Sequence, residues 1–190
     1  LIGYDNLGRR TFINNPDTGL VTMVYDNASN LKQKITAAGQ TINYLYDSMN
    51  RLSGIDYEGT DRDVVYTYGQ PVGDKGAVNG NRAGRLKKVE YGSGSKEYRY
   101  DLYGNIDTEI ETVKRQDSSS ITDTYTFSYT WDDMGKLLTM EYPDDEVITY
   151  SYDSAGLLVS AVGGSTYLGN INYNKFGQRV YVYSANMGTS

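Results

Sequence analysis

With no His and no Cys among its 190 residues, this chain leaves acid–base chemistry to its carboxylates. That excludes a Cys nucleophile, a Ser-His-Asp triad, the usual Cys/His zinc sites and the side chain most often used as a proton shuttle near pH 7. Hydrolysis would have to rest on a carboxylate pair of the kind glycosidases use. Glu109, Glu111, Asp132, Asp133, Glu141 and Glu146 are available, but nothing in their spacing singles out two of them. No catalytic residue is assigned, and the chain is not read as an enzyme.

Two binding chemistries remain. Asp follows an aromatic residue six times, at Tyr4-Asp5, Tyr25-Asp26, Tyr46-Asp47, Tyr100-Asp101, Trp131-Asp132 and Tyr152-Asp153. A row of acids could suggest a calcium ladder, yet calcium needs several oxygens converging on one point. One Asp per repeat reads better as a turn residue, and no metal or cofactor is assigned. The second chemistry is sugar stacking on aromatic rings, for which Trp131, Tyr129 and Tyr150 are the candidates. The competing reading is a Tyr ladder across strands, in which each pair contributes about 0.2–1 kcal/mol. Trp131 sits at the same repeat position as the Tyr residues, which favours the ladder.

The elements that position these residues can be read from the spacing. Tyr68-Gly69 and Tyr173-Asn174 fall on the same beat, so the aromatics stand at positions 4, 25, 46, 68, 100, 131, 152 and 173, at intervals of 21, 21, 22, 32, 31, 21 and 21. A period near twenty marks a stacked-repeat architecture. The third residue after the aromatic is apolar: Leu7, Ala28, Met49, Tyr103, Met134, Ala155 and Phe176. The fourth is Gly8, Ser29, Asn50, Gly104, Gly135, Gly156 or Gly177, and Gly84 resumes the pattern after Tyr68. Gly and Asn there predict a backbone position with positive φ. At Ser29 the expectation passes the strained conformation to Asn30. Asp beside the aromatic can accept hydrogen bonds from the turn's own N–H groups.

Before each turn, alternation predicts a strand with one aromatic face: Ile42, Tyr44, Tyr46; Val64, Tyr66, Tyr68; Tyr98, Tyr100; Tyr125, Phe127, Tyr129, Trp131; Ile148, Tyr150, Tyr152. After each turn comes a second strand, over 52–57, 86–91 and 137–142. There Leu52 and Ile55, Leu86 and Val89, and Leu137 and Met140 are three apart, an odd spacing that cannot put both on one face of a regular strand. Either the Leu belongs to the turn or a β-bulge re-aims it. More variable turns close each unit. The expected fold is all-β: about fifteen or sixteen antiparallel strands, in tandem hairpins, forming one continuous twisted, curved sheet over 1–190. Insertions near 69–83 and 114–123 should project from opposite edges, and their composition predicts mobile loops.

The net charge of −6 argues against nucleic acid, whose affinity needs surplus Lys and Arg. No apolar run approaches the roughly 18 residues of a membrane helix. The chain opens at Leu1 inside a repeat and is expected to be a segment of a longer protein. The absence of Cys does not fix a compartment, and Asn27-Ala28-Ser29 is read as a chance sequon.

The recurring Tyr-Asp-x-x-Gly-[Arg/Asn/Lys]-Leu with its upstream Tyr-x-Tyr resembles the YD repeat of RHS proteins. Residues 46–52 and 131–137 are close copies, and the resemblance runs from Tyr4 to about Tyr183. It implies β-hairpins coiling into a hollow shell, as in bacterial RHS and toxin-complex C proteins and in the YD shell of teneurins. It further implies a non-catalytic wall, secreted or at the bacterial cell surface, that encloses the C-terminal segment of a polymorphic toxin. The partners implied are the rest of the shell and its enclosed segment. Carbohydrate or protein binding by the repeat surface is the alternative. The Asp-Pro-x-Gly self-cleavage signature of such shells is absent, and Asn15-Pro16-Asp17 is no match. With two open edge strands, the isolated array should self-associate or curl.

Overall fold

The computed structural model describes residues 1–59, 63–115 and 121–184. Its strands are β1 (Ile2–Tyr4), β2 (Arg10–Asn15), β3 (Gly19–Tyr25), β4 (Leu31–Ile35), β5 (Thr41–Tyr46), β6 (Leu52–Tyr57), β7 (Val64–Tyr68), β8 (Leu86–Tyr91) and β9 (Gly94–Tyr100). Next come β10 (Ile106–Lys114), β11 (Thr122–Trp131), β12 (Leu137–Glu141), β13 (Val147–Tyr152), β14 (Leu158–Val162), β15 (Thr166–Leu168), β16 (Asn170–Tyr173) and β17 (Arg179–Tyr183). The first fifteen form one antiparallel meander in sequence order, and β16 and β17 form a hairpin ladder of their own. The chain is therefore all-β as expected, but its ladder is interrupted once. The break falls at Gly169, whose N–H turns to the Tyr183 carbonyl at 2.9 Å. The Tyr183 ring packs where a Cβ at 169 would stand, 2.6 Å away.

A β-bulge accompanies every aromatic turn. Tyr46 pairs with Leu52 while Leu45 pairs with Gly54, leaving Ser53 as the extra residue. The same shift occurs at Tyr4, Tyr25, Tyr68, Tyr100, Trp131, Tyr152 and Tyr173. This decides between the two readings of the odd spacing. Leu52 lies in the strand opposite the aromatic, and the bulge then returns Ile55 to the aromatic face.

The two insertions carry bonds of their own. Residues 69–83 lie in the aromatic-Asp row and are held at several points. Asp74, buried, accepts from the Gln70 N–H and the Lys87 ammonium, each at 2.9 Å. A single 3-10 turn, Ala77–Asn79, comes next. Asn81 Nδ2 then donates to the Tyr100 carbonyl at 2.8 Å and Arg82 Nε to the Tyr98 carbonyl at 2.9 Å. At 114–123 much of the extra length is strand: β10 and β11 pair as far as Lys114 and Thr122, and Arg115 closes the hairpin on Asp123 at 2.7 Å. Ser118, Ser119 and Ser120 lie outside the described residues, as does Asp61.

Only Ile42, Tyr100, Ile148, Ala161 and Ile171 are buried hydrophobics among the described residues, and no large side chain there is fully enclosed. A single-layer sheet has no central core, so its stability comes from neighbour-to-neighbour contacts repeated along the strip.

The fourth turn residue has positive φ in every copy, including Ser29 at 69° and Asn50 at 64°. Ser29 itself, not Asn30, carries the strain. Left-handed geometry costs a residue with a Cβ about 1–2 kcal/mol. Ser29→Gly should therefore raise stability by up to about 1 kcal/mol. Gly8→Ala should lower it by about 1–2 kcal/mol through backbone strain alone, because nothing lies within 4 Å of the added Cβ. Urea titration should show both as midpoint shifts at constant slope.

Candidate functional site: the turn spine and the sheet faces

Each aromatic-Asp turn is built around one carboxylate oxygen. Asp47 Oδ1 accepts from the N–H groups of Met49 and Arg51, both at 2.9 Å. Asp5, Asp26, Asp101, Asp132 and Asp153 repeat the pattern, and Asn174 does so with its amide oxygen. The backbone closes the same turn, with the Asp47 N–H on the Arg51 carbonyl at 2.9 Å and the Asn50 N–H on the Asp47 carbonyl at 3.0 Å. These bonds hold the carboxylates of Asp5, Asp26 and Asp47 below their ordinary range. The Arg9 N–H is the largest cause at Asp5, the Asn30 amide at Asp26 and the Arg51 N–H at Asp47.

The aromatic tip latches each repeat to the one before. Tyr46 Oη donates to the Leu31 carbonyl at 3.0 Å, the residue that opens the preceding repeat's second strand just before its bulge. The equivalent bonds are Tyr25 to Arg10 at 2.9 Å, Tyr68 to Leu52 at 2.9 Å, Tyr100 to Leu86 at 2.7 Å, Tyr152 to Leu137 at 2.8 Å and Tyr173 to Leu158 at 2.8 Å. Trp131 keeps the bond with its indole N–H, at 2.7 Å from the Ile106 carbonyl. Burial pushes the hydroxyls of Tyr46, Tyr100 and Tyr152 upward in pKa, which keeps them protonated as donors.

The residue after the positive-φ position joins the two devices. Arg9 pairs with Asp5 at 2.7 Å and lies 4.8 Å from the centroid of the Tyr25 ring. Arg51 pairs with Asp47 at 2.7 Å and lies 3.9 Å over Tyr68. Arg85 over Tyr100 and Lys136 over Tyr152 continue the series. Each such cation–π contact contributes about 0.5–1 kcal/mol at an exposed site.

Gly69, where Asp would stand, fits the same frame. Its N–H reaches the Arg85 carbonyl and its carbonyl accepts the Gly84 N–H, both at 2.9 Å. The insertion's returning main chain puts the Arg82 carbonyl 2.1 Å from where a Cβ at 69 would be, so Asp cannot occupy that position.

The candidate carboxylates are dispersed. Asp132 is committed to its turn, and Glu146 accepts the Tyr167 hydroxyl at 2.7 Å. Glu141 borders a shallow groove with Thr126, Ser128 and Asp145. Glu109 and Glu111 do come together, with the Lys96 ammonium 2.7 and 3.5 Å away and the Tyr91 hydroxyl 3.3 Å from Glu111. Hydrogen bonding to Glu109 raises the Lys96 pKa, so this is a charged lattice without a free acid–base pair. Among the described residues no three acidic groups converge on a metal site, and no helix is long and apolar enough to cross a membrane. Of the stacking candidates, Tyr129 and Trp131 are neighbours with ring centroids 6.4 Å apart and planes at 32°. Tyr150 lies on β13, and burial raises its pKa. The latch and the Lys96 lattice are absent from the sequence reading. The one signal that could have revealed the latch is that all eight repeat aromatics are Tyr or Trp and none is Phe.

No protein-family model matches the chain, and no curated protein matches it in sequence. Solved structures do. The crystal structure of TcdB2-TccC3-TEV superposes with a TM-score of 0.82 at 19% identity, covering 97% of this chain and 10% of that one. TcdB2-TccC3 without its hypervariable C-terminal region gives 0.81 at 19% identity, with the same coverage of each chain. The Photorhabdus luminescens Tc holotoxin pore with mutated TccC3 gives 0.82 at 18% identity, again covering 97% and 10%. The likeness is one of fold: the chain is a tandem-hairpin sheet of the kind in these toxin-complex structures, the fold that the resemblance to YD repeats implies. It spans about a tenth of their chain length.

Loss of the latch at Tyr100→Phe should cost about 0.5–1.5 kcal/mol. Trp131→Tyr should retain more stability than Trp131→Phe, since only Tyr restores a donor; thermal melts of the three variants check both. The pH profile should have two limbs. Lowered Asp values mean stability is complete above the usual carboxylate range and falls as pH drops through the folded values. Raised Tyr values mean stability is complete below about pH 10 and is lost as pH rises through the folded values. Melting temperature against pH should show a neutral plateau, and Asp47→Asn should destabilise less than Asp47→Ala.

Proposed function

We propose that this chain is a non-catalytic wall segment of an RHS-type shell that encloses and sequesters a C-terminal toxin or effector segment. The observation that carries this reading is the fold likeness to TcdB2-TccC3 over 97% of the chain. One of those structures lacks a hypervariable C-terminal region and superposes equally well, which supports a repeat array that holds its fold independently of such a region. The chemistry agrees. The repeated Asp, Tyr and Arg groups are engaged with one another or with main chain, so the strip acts by exclusion. Its partners in this reading are the remaining repeats and the enclosed segment, in a bacterial protein that is secreted or displayed at the cell surface.

A second reading, a glycan- or protein-binding YD surface, draws on the adjacent Tyr129 and Trp131 rings. The test is to purify the parent chain natively and combine limited proteolysis with denaturing mass spectrometry. A C-terminal fragment that co-purifies and resists protease is the expected result. An intact chain with no protected segment sinks the shell reading, and glycan-array binding lost in Trp131→Ala would then support the second.

A further inference from the structure

One repeated side chain has no part in turn, bulge or latch. The third residue after each aromatic gives the turn only its N–H, as Leu7 does to Asp5, Met49 to Asp47 and Met134 to Asp132, each at 2.9 Å. Any residue with an N–H would serve, yet the position is apolar in every intact copy. It is also turned to solvent: Leu7, Met49, Tyr103, Met134 and Phe176 are 68–81% exposed.

These side chains form a row. Because the strands follow one another in a meander, the aromatic-Asp turns fall on one flank of the strip and the variable turns on the other. Successive tips stand two strands apart, about 9–10 Å. Where the insertion replaces the turn, the apolar display is kept by Val72 and Val78, 90% and 92% exposed. Nine large hydrophobics among the described residues are more than two-thirds exposed; eight lie in this row, and the ninth is Leu1. The opposite flank has none among the described residues, and its tips are of the type Pro16-Asp17-Thr18, Pro143-Asp144-Asp145 and Gly163-Gly164-Ser165. An apolar run confined to one flank marks an interaction surface.

We infer that this flank is an interface for a second copy of the strip, turn row against turn row. Spacing identifies the occupant: the row offers one apolar tip per hairpin at a fixed interval, and another copy presents the same interval, so all the tips are covered together. The turn charges do not oppose it, since Asp5 with Arg9 and Asp47 with Arg51 are paired within their own turns. A stable interface needs about 800 Å² per partner, or roughly 100 Å² from each of the eight side chains. The row lies along the flank, so further repeats before or after this segment lengthen it and do not cover it. Both copies use the same patch, so the contact is isologous and closes at two. It does not depend on whether a parent shell encloses a toxin, so either idea can fail alone.

Sedimentation of the 190-residue chain should show a monomer–dimer equilibrium. Met49→Ser and Met134→Ser keep the turn N–H and should each weaken the dimer about tenfold or more. Leu20→Ser, exposed on a strand face, should leave it unchanged. The two methionines also report the contact in the unaltered chain. Peroxide converts accessible thioethers to sulfoxides, and their oxidation, read by mass spectrometry, should slow several-fold from dilute to concentrated protein. A monomer at every concentration, a dimer indifferent to both Met variants, growth beyond two copies, or a dimer with Met49 and Met134 unprotected would each overturn the inference. So would a chain that stays monomeric but floats with phosphatidylcholine vesicles, which would assign the row to a lipid surface.

Discussion

Everything in this sheet depends on the bulge beside each aromatic turn. A strand with one extra residue cannot stay in plain register with its partner, so ladder pairing is disturbed at the same place in every repeat. The turn is set by two local requirements: a carboxylate or amide oxygen that gathers N–H groups, and a fourth residue at positive φ. The bulge then has a fixed position, directly after the residue opposite the aromatic. Once its position is fixed, so is the carbonyl beside it, and the next repeat's Tyr or Trp reaches that carbonyl. Turn, bulge and latch are one device read at three distances.

That device explains what the array tolerates. At Tyr68 fifteen residues replace the usual three before the positive-φ Gly84, yet the main-chain closure of the turn is intact. The carboxylate is lost at Gly69 because returning backbone fills the space, and a different carboxylate, Asp74, organises the excursion. At Gly169 the reverse happens. The ladder breaks, but Tyr173 still reaches Leu158. Coupling between repeats therefore has two kinds of support, the sheet ladder and the side-chain latch, and one persists where the other stops. In a one-layer strip with few buried side chains, that redundancy takes the place of a core.

The sequence is legible where a feature is local and repeated. Asp with Gly three residues later needs no tertiary information, so the turns and the strands between them can be placed from residue types alone. It is less legible where partners are distant. Composition gives 69–83 as a mobile loop but does not name its distant partners: Asp74 meets Lys87 and Arg82 meets Tyr98, contacts that span 13 and 16 residues. Ser29 departs from expectation for a different reason: residue preference favours Asn at positive φ, whereas bulge register selects the position. Asn30 is held elsewhere, its N–H and its amide both on Asp26. At the break one glycine packs against one distant ring, Gly169 against Tyr183, a contact no periodicity reports.

The turns are uniform, so they cannot distinguish one stretch of the strip from another; the strand faces can. Opposite the aromatic face, β3 to β7 present Leu20, Val24, Leu45 and Val65, all exposed. Cross-strand pairing carries that same face through Glu90, Ser95 and Thr112 to the hydroxyl rows of β11 to β13, with Thr124, Thr126, Ser128 and Thr130 on one strand and Thr139 and Thr149 beside it. On the aromatic face, Lys96 with Glu109 and Glu111 interrupts a run of rings. None of these residues is demanded by turn, bulge or latch. They are the positions the scaffold leaves free, so what this segment presents to a neighbouring surface is set there, while the chemistry of the turns only keeps the sheet in register.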